Sequence, residues 1–188
     1  MKISGNIKDI LRLRKTILTF KEICLIWNET NLNAARSKIN YYVKKGELIN
    51  LRRGLYAVDK NYNEFELAVK IYKPSYISFE TVLFKEGIIF QYYESTFVAS
   101  YLSKNIIIDN HSIIFRKIKY PVLINNPGVE INDDYSIASP ERALLDILYI
   151  DGTFHFDNLE NLDKQKVFEY LKIYDNKRLN KTVYDLFK

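Results

Sequence analysis

The sequence predicts an α+β chain, with a winged helix-turn-helix over residues 1–60 and a mixed α/β region with a mainly antiparallel sheet over 61–188. Three observations carry this. The first 60 residues run through helical patterns into two short apolar strands around a glycine. Residues 95–138 switch to β character between flanking helical stretches. Charge is unevenly divided: residues 1–60 hold 13 Lys and Arg against 5 Asp and Glu, a surplus of +8, while 61–188 hold 15 against 18. A basic module joined to a mildly acidic one suits a polyanion-binding head on a separate body.

The elements follow in order. Ile7 to Arg14 reads as a short helix with Ile7, Ile10, Leu11 and Arg14 on one side. Ile17 and Leu18 form a brief extended piece. Thr19-Phe20-Lys21-Glu22 is a capping-box pattern, so a second helix runs from Phe20 to about Asn28, with Ile23, Ile26 and Trp27 turned to the core. Asn31 to Asn33 offer turn and cap residues. A third helix follows over Ala34–Lys45 and is closed by Gly46. Ala35, Ile39, Tyr42 and Val43 recur at the spacing of one apolar helix face. Two strands, Leu48–Leu51 and Leu55–Val58, flank Arg52-Arg53-Gly54, where Gly54 frees φ for a tight turn.

The chemistry of this module points to double-stranded DNA. A helix of about 12 residues fits the major groove, where Arg and Asn read base edges. The candidate contacts on the third helix are Asn33, Arg36, Ser37, Lys38, Asn40, Tyr41 and Lys44, with Lys45 at the flank. Arg52 and Arg53 at the hairpin are placed to meet phosphates or a minor groove. A winged helix can instead mediate protein contacts, but the charge surplus argues for nucleic acid.

Beyond residue 60, a helix is expected over Asn63–Tyr72, and Ser78 is placed to cap another over Phe79–Glu86, ended by Gly87. Strands are expected at Thr96–Tyr101, Ile106–Ile108, Ile113–Ile118, Val122–Ile124, Val129–Ile131 and Tyr135–Ala138. Ser139-Pro140 starts a helix by N-cap and N1 preference. Two closing helices follow, at about Asp163–Tyr174 and Lys177–Phe187.

Three segments resemble, in order, the AbiEi-type antitoxins of abortive-infection toxin–antitoxin operons. The first is Lys44-Lys45-Gly46-Glu47-Leu48-Ile49-Asn50-Leu51-Arg52-Arg53-Gly54-Leu55-Tyr56-Ala57. The second is Pro74-Ser75-Tyr76-Ile77-Ser78-Phe79-Glu80-Thr81-Val82-Leu83, with Gly87 after it. The third is Ile137-Ala138-Ser139-Pro140-Glu141-Arg142-Ala143-Leu144-Leu145-Asp146. The resemblance extends over about residues 8–150, with a brief tail beyond. The resemblance implies a type IV antitoxin with two roles: binding inverted repeats in its own promoter to repress the operon, and antitoxic activity carried by the C-terminal region. The implied functional partner is a nucleotidyltransferase-like toxin, and the type IV class does not require a direct complex with it. Two other readings stay open. One is a stand-alone winged-helix regulator with a C-terminal sensing or dimerisation domain. The other is an enzyme acting on nucleic acid.

Enzymatic chemistry finds little support in the residues. His111 and His155 lie far apart without metal-ligand spacing, and there is no glycine-rich phosphate loop or nucleophile elbow. Asp175-Asn176-Lys177 resembles the tail of a nuclease carboxylate–lysine motif but stands alone. Glu141, Arg142 and Asp146 fit structural roles: Glu141 complements a helix dipole, and Asp146 can pair with Arg142 one turn away. No cofactor, metal or membrane partner is expected. The lone Cys24, and the lack of a secretory-type apolar run, suit the cytoplasm.

Overall fold

A computed structural model describes residues 5–13, 15–132 and 134–188. Arg14, expected on the apolar side of the first helix, lies outside them. The chain is α+β and divides into two compact units, Met1–Ile71 and Tyr72–Lys188.

The first unit runs α1 (Ile7–Leu11), β1 (Ile17–Thr19), α2 (Phe20–Ile26), α3 (Leu32–Lys44), β2 (Ile49–Arg52), β3 (Leu55–Ala57) and α4 (Glu64–Ile71). Each early helix begins where a side chain satisfies free backbone amides. Asn6 and Asp9 form a reciprocal box at α1. Thr19 and Glu22 form the expected one at α2, with the Thr19 amide donating to Glu22 Oε2 at 2.7 Å. Asn31 Oδ1 accepts from the amides of Asn33 and Ala34, so α3 starts at Leu32. The strands form an antiparallel sheet in the order β1-β3-β2, with a bulge between Asn50 and Arg52. Ile10, Leu18, Ile23, Trp27, Ile39, Leu48 and Tyr56 make the core, with Tyr42 and Val43 packed against it. At about 25 cal/mol per Å² of apolar surface, that burial is the main force holding so small a unit.

The first compact unit extends to Ile71, eleven residues beyond the boundary expected at residue 60. Helix α4 belongs to the first unit because two buried charges tie it there. Glu66 Oε2 accepts from the Thr16 and Ile17 amides at 3.0 and 3.1 Å. Lys70 donates to the Ile17 carbonyl and pairs with Glu66 at 2.7 Å and Glu22 at 3.3 Å. Such a pair is tolerated inside because its hydrogen bonds offset the loss of hydration. The apolar spacing of 63–72 revealed the helix but not these partners, which lie about 50 positions away.

The second unit holds a six-stranded mixed sheet in the order β6-β7-β5-β4-β9-β8. Its strands are β4 (Ser75–Ile77), β5 (Thr96–Ser100), β6 (Lys104–Ile108), β7 (His111–Lys117), β8 (Val129–Ile131) and β9 (Ser136–Ala138). The pairs β4–β5, β6–β7 and β8–β9 are antiparallel, while β4–β9 and β5–β7 are parallel. The sheet is therefore more mixed than expected. Its helices are α5 (Phe79–Lys85), α6 (Tyr120–Leu123), α7 (Pro140–Asp151), α8 (Lys164–Leu171) with a 3₁₀ turn over Lys172–Tyr174, and α9 (Lys177–Leu186). Helix α5 packs on α7, and α7 on α8 and α9.

One expected strand is wrong. Val122–Ile124 belongs to the turn of helix α6 and its cap, not to the sheet. Pro121 sits in the first turn, where its missing N–H costs nothing and its fixed φ favours helix. Three apolar residues cannot by themselves distinguish strand from buried helix. The three-residue strand β4, Ser75-Tyr76-Ile77, is too short to be marked by alternation in the sequence.

Candidate nucleic-acid interface

Helix α3 divides cleanly. Ala35 and Ile39 are fully buried, while Asn33, Arg36, Ser37, Asn40, Tyr41 and Lys44 are exposed. Asn33, Arg36, Ser37, Asn40 and Lys44 recur three or four residues apart, so they form one stripe along the helix. Tyr41 stands at its edge, 52% exposed, against Tyr42 and under the Lys45 ammonium at 4.7 Å. Lys45 therefore adds a cation beside the stripe.

Lys38 is not part of that face. It lies two residues from both Arg36 and Asn40, a spacing that turns it elsewhere. Its ammonium donates to the Gly5 carbonyl and lies 4.6 Å from the Trp27 ring. Trp27 in turn donates from Nε1 to the Asn6 carbonyl at 3.1 Å. A Cβ at Gly5 would come within 2.3 Å of that indole, so the segment entering α1 is packed flat against it. Lys38 secures the segment at Gly5 to α3.

The stripe and the arginine hairpin meet around Phe20. Arg36 donates to Asn33 Oδ1 at 3.0 Å, and its guanidinium carbon stands 5.4 Å from the Phe20 ring. The Phe20 amide donates to the Gly54 carbonyl at 2.9 Å. One residue thus touches the face of α3 and the hairpin turn. Gly54 adopts φ +81 with nothing near its absent Cβ, so backbone conformation rather than space requires glycine there.

The two hairpin arginines differ. Arg53 is exposed beside Gly54. Arg52 closes β2, is half-buried, and keeps one terminal guanidinium nitrogen enclosed without a hydrogen-bond partner. Arg53 is therefore the freer cation at the tip. Nearby, burial pushes the Tyr56 hydroxyl above its ordinary pKa, with the Arg36 charge opposing. Burial also raises the Cys24 thiol, which leaves less of the reactive thiolate.

The Glu141-Arg142-Asp146 cluster has the opposite character. Arg142 and Asp146 are 0% exposed. Arg142 donates to the carbonyls of Val122, Asn125 and Pro127 at 2.7, 3.3 and 3.0 Å, and to Tyr76 Oη at 3.1 Å. Its Nε stands 3.4 Å from Asp146. Asp146 accepts from Tyr174 at 2.6 Å, Ser78 at 2.7 Å and Tyr76 at 3.0 Å. Burial raises the Asp146 pKa although Arg142 and these three hydroxyls favour the carboxylate. Glu141 accepts from Ser139 Oγ and the Asp163 amide. These contacts join β4, α5, α6, α7 and the 3₁₀ turn. Asn176, from the nuclease-like triplet, caps α9 by accepting from the Leu179 amide at 3.0 Å. Among the described residues, no helix is long and apolar enough to cross a membrane.

No family model and no curated protein matches the chain. Among solved structures, a crystal structure of the RV2827C protein from Mycobacterium tuberculosis is similar. The likeness covers 96% of this chain and 74% of that one, with a TM-score of 0.55 at 10% identity. At that identity it bears on the fold alone, an α+β architecture spanning nearly the whole chain.

Proposed function

We propose that this chain is a DNA-binding antitoxin of the AbiEi type, with a winged helix-turn-helix in its first unit. In this reading α2 and α3 are the helix-turn-helix, α3 enters the major groove, and the β2–β3 hairpin is the wing. Asn33, Arg36, Ser37, Asn40 and Lys44 face base edges and phosphates. Arg53 contacts the backbone beside them, with Arg52 behind it. The observation that carries the reading is the junction at Phe20, which sets the polar stripe of α3 beside the arginine turn. The surplus of +8 over residues 1–60 supports it, since phosphate neutralisation supplies most non-specific affinity. Bound at inverted repeats in its promoter, the chain represses its own operon from the cytoplasm. The second unit carries the antitoxic activity against a nucleotidyltransferase-like toxin, with no stable complex required and no catalysis by this chain.

Two measurements test this. Fluorescence anisotropy with the DNA upstream of its own reading frame should show binding at least about 10³-fold tighter than to random duplex at the same salt. Equal affinity for both removes the operator. Co-expression with the adjacent reading frame should restore growth. Operator binding without growth rescue shifts the reading to a stand-alone regulator.

A further inference from the structure

The six-stranded sheet has β6 at one edge and β8 at the other. The two edges differ. Strand β6 pairs with β7 through five consecutive positions without a register shift. Asp109 and Asn110 form the turn between them, both with positive φ. In a two-residue hairpin the residues flanking the turn exchange both hydrogen bonds, and hydrogen-bonded pairs then alternate. The backbone groups of Ile108, Ile106 and Lys104 therefore turn toward β7. Those of Asn105 and Ile107 turn to the open edge. The side chains of these two residues are exposed as well, Ile107 at 76%. Natural edges are usually blunted by proline, bulges or several charges, and β6 carries only Lys104 at one end.

We propose that β6 pairs with β6 of a second copy of this chain, antiparallel about a twofold axis through Ile106. In that register Asn105 stands opposite Ile107 of the second copy. The outward amides and carbonyls then meet as hydrogen-bonded pairs, each exchanging two bonds. Lys104 stands opposite Ile108 of the other copy, so the lysines lie at the two ends of the seam and not against each other. The edge at β8 lacks this complementarity. It has three residues, and a twofold axis there would set Glu130 against its own copy.

Two five-residue strands bury less than the roughly 1,200 Å² of a standard interface, so association is weak and depends on concentration. The pairing joins second units alone and goes beyond the proposed function. It would also supply the twofold symmetry that an inverted-repeat operator mirrors.

The test is sedimentation equilibrium of the full chain without DNA, from about 1 µM to about 1 mM. The average mass should climb from the 22.3 kDa of one chain toward twice that value. Ile107→Pro removes an N–H that β7 does not use, and proline is tolerated at such edge positions. It should raise the midpoint of association at least about tenfold while the circular dichroism stays unchanged. If the proline variant does not fold, Ile107→Lys serves in its place, with the same expected shift. A wild-type mass that stays at one chain throughout overturns the proposal. So does association as in the wild type by a folded Ile107 variant. Because DNA is absent, neither result depends on whether the first unit binds an operator.

Discussion

Arg36 and Arg142 are the same residue type in opposite situations. Arg36 is exposed on α3, with one side-chain hydrogen bond to Asn33 and a ring beneath it. Arg142 is enclosed, with three carbonyls, a tyrosine hydroxyl and the Asp146 carboxylate around it. The sequence makes Arg142 the more conspicuous, because it sits in a Ser-Pro-Glu-Arg block with acidic neighbours. Yet both terminal nitrogens of its guanidinium donate within the fold. Arg36 retains donors that face solvent and are open to a partner. A charged side chain is a candidate for recognition by what the fold leaves unspent on it, not by the density of charges around it.

The comparison can be broken most forcefully at Asp146. Asp146→Asn keeps the shape but leaves the Arg142 charge enclosed without a counter-ion. Loss of one partner from a buried pair costs about 3–5 kcal/mol, so the urea unfolding midpoint of the second unit should drop sharply. A change below about 1 kcal/mol would mean that the carbonyls alone hold Arg142. Arg36→Ala should behave in reverse. Stability should stay within about 0.5 kcal/mol, while specific operator binding weakens by about 1–3 kcal/mol in anisotropy titrations. Unchanged affinity for operator and random DNA would remove Arg36 from the interface.

Smaller effects sharpen the contrast within the first unit. Arg53→Ala should lower the log–log slope of binding against salt by about one unit, and replacing Arg52 as well by up to about two. The half-buried position of Arg52 predicts that its share is the smaller and comes with some loss of stability. Lys38→Met should leave the salt slope alone and loosen the segment at Gly5, read as faster amide exchange around Asn6 and Lys8. A changed slope would return Lys38 to the DNA face.

The smallest effect concerns acid. Burial pushes the Glu22 carboxyl up, but the Thr19 amide and hydroxyl and the Lys70 and Lys15 charges together hold it below its ordinary pKa. A lowered folded pKa contributes stability present above the unfolded value and lost as pH falls through the folded one. Glu22→Gln should therefore flatten the decline in stability below the usual carboxylate range. Parallel acid limbs for the two proteins would show that Glu22 is not linked to folding.

What could be read from the sequence was local. The Thr19–Glu22 box, the apolar face of α3 and the Gly54 turn depend on residues within a few positions of each other, and all three are present. The polar stripe was readable for the same reason: helix period alone separates Asn33, Arg36, Ser37, Asn40 and Lys44 from Ala35 and Ile39. The contact of Lys38 with the Gly5 carbonyl was not readable, because the two lie 33 positions apart. The partners of Glu66 and Lys70 could not be read, since the β1 amides and carbonyl they serve lie about 50 positions away. The parallel pairs β4–β9 and β5–β7 join strands far apart in the chain, and periodicity carries no information about such neighbours. The Arg142–Asp146 pair one turn apart was readable and is present, but it is only part of what surrounds Arg142. Its bonds to the α6 segment appear only when residues 122–127 are folded against α7.

The attachment of α4 to β1 also governs how this head could be transplanted. A chimera spliced after residue 60 would leave behind the carboxylate that receives the Thr16 and Ile17 amides and the ammonium that covers the Ile17 carbonyl. The graft would begin with an uncapped strand at its first sheet edge, and misfolding there would be mistaken for loss of recognition. A splice after Ile71 carries the whole clasp with it, so the portable cassette is longer than the helices and hairpin of the proposed interface.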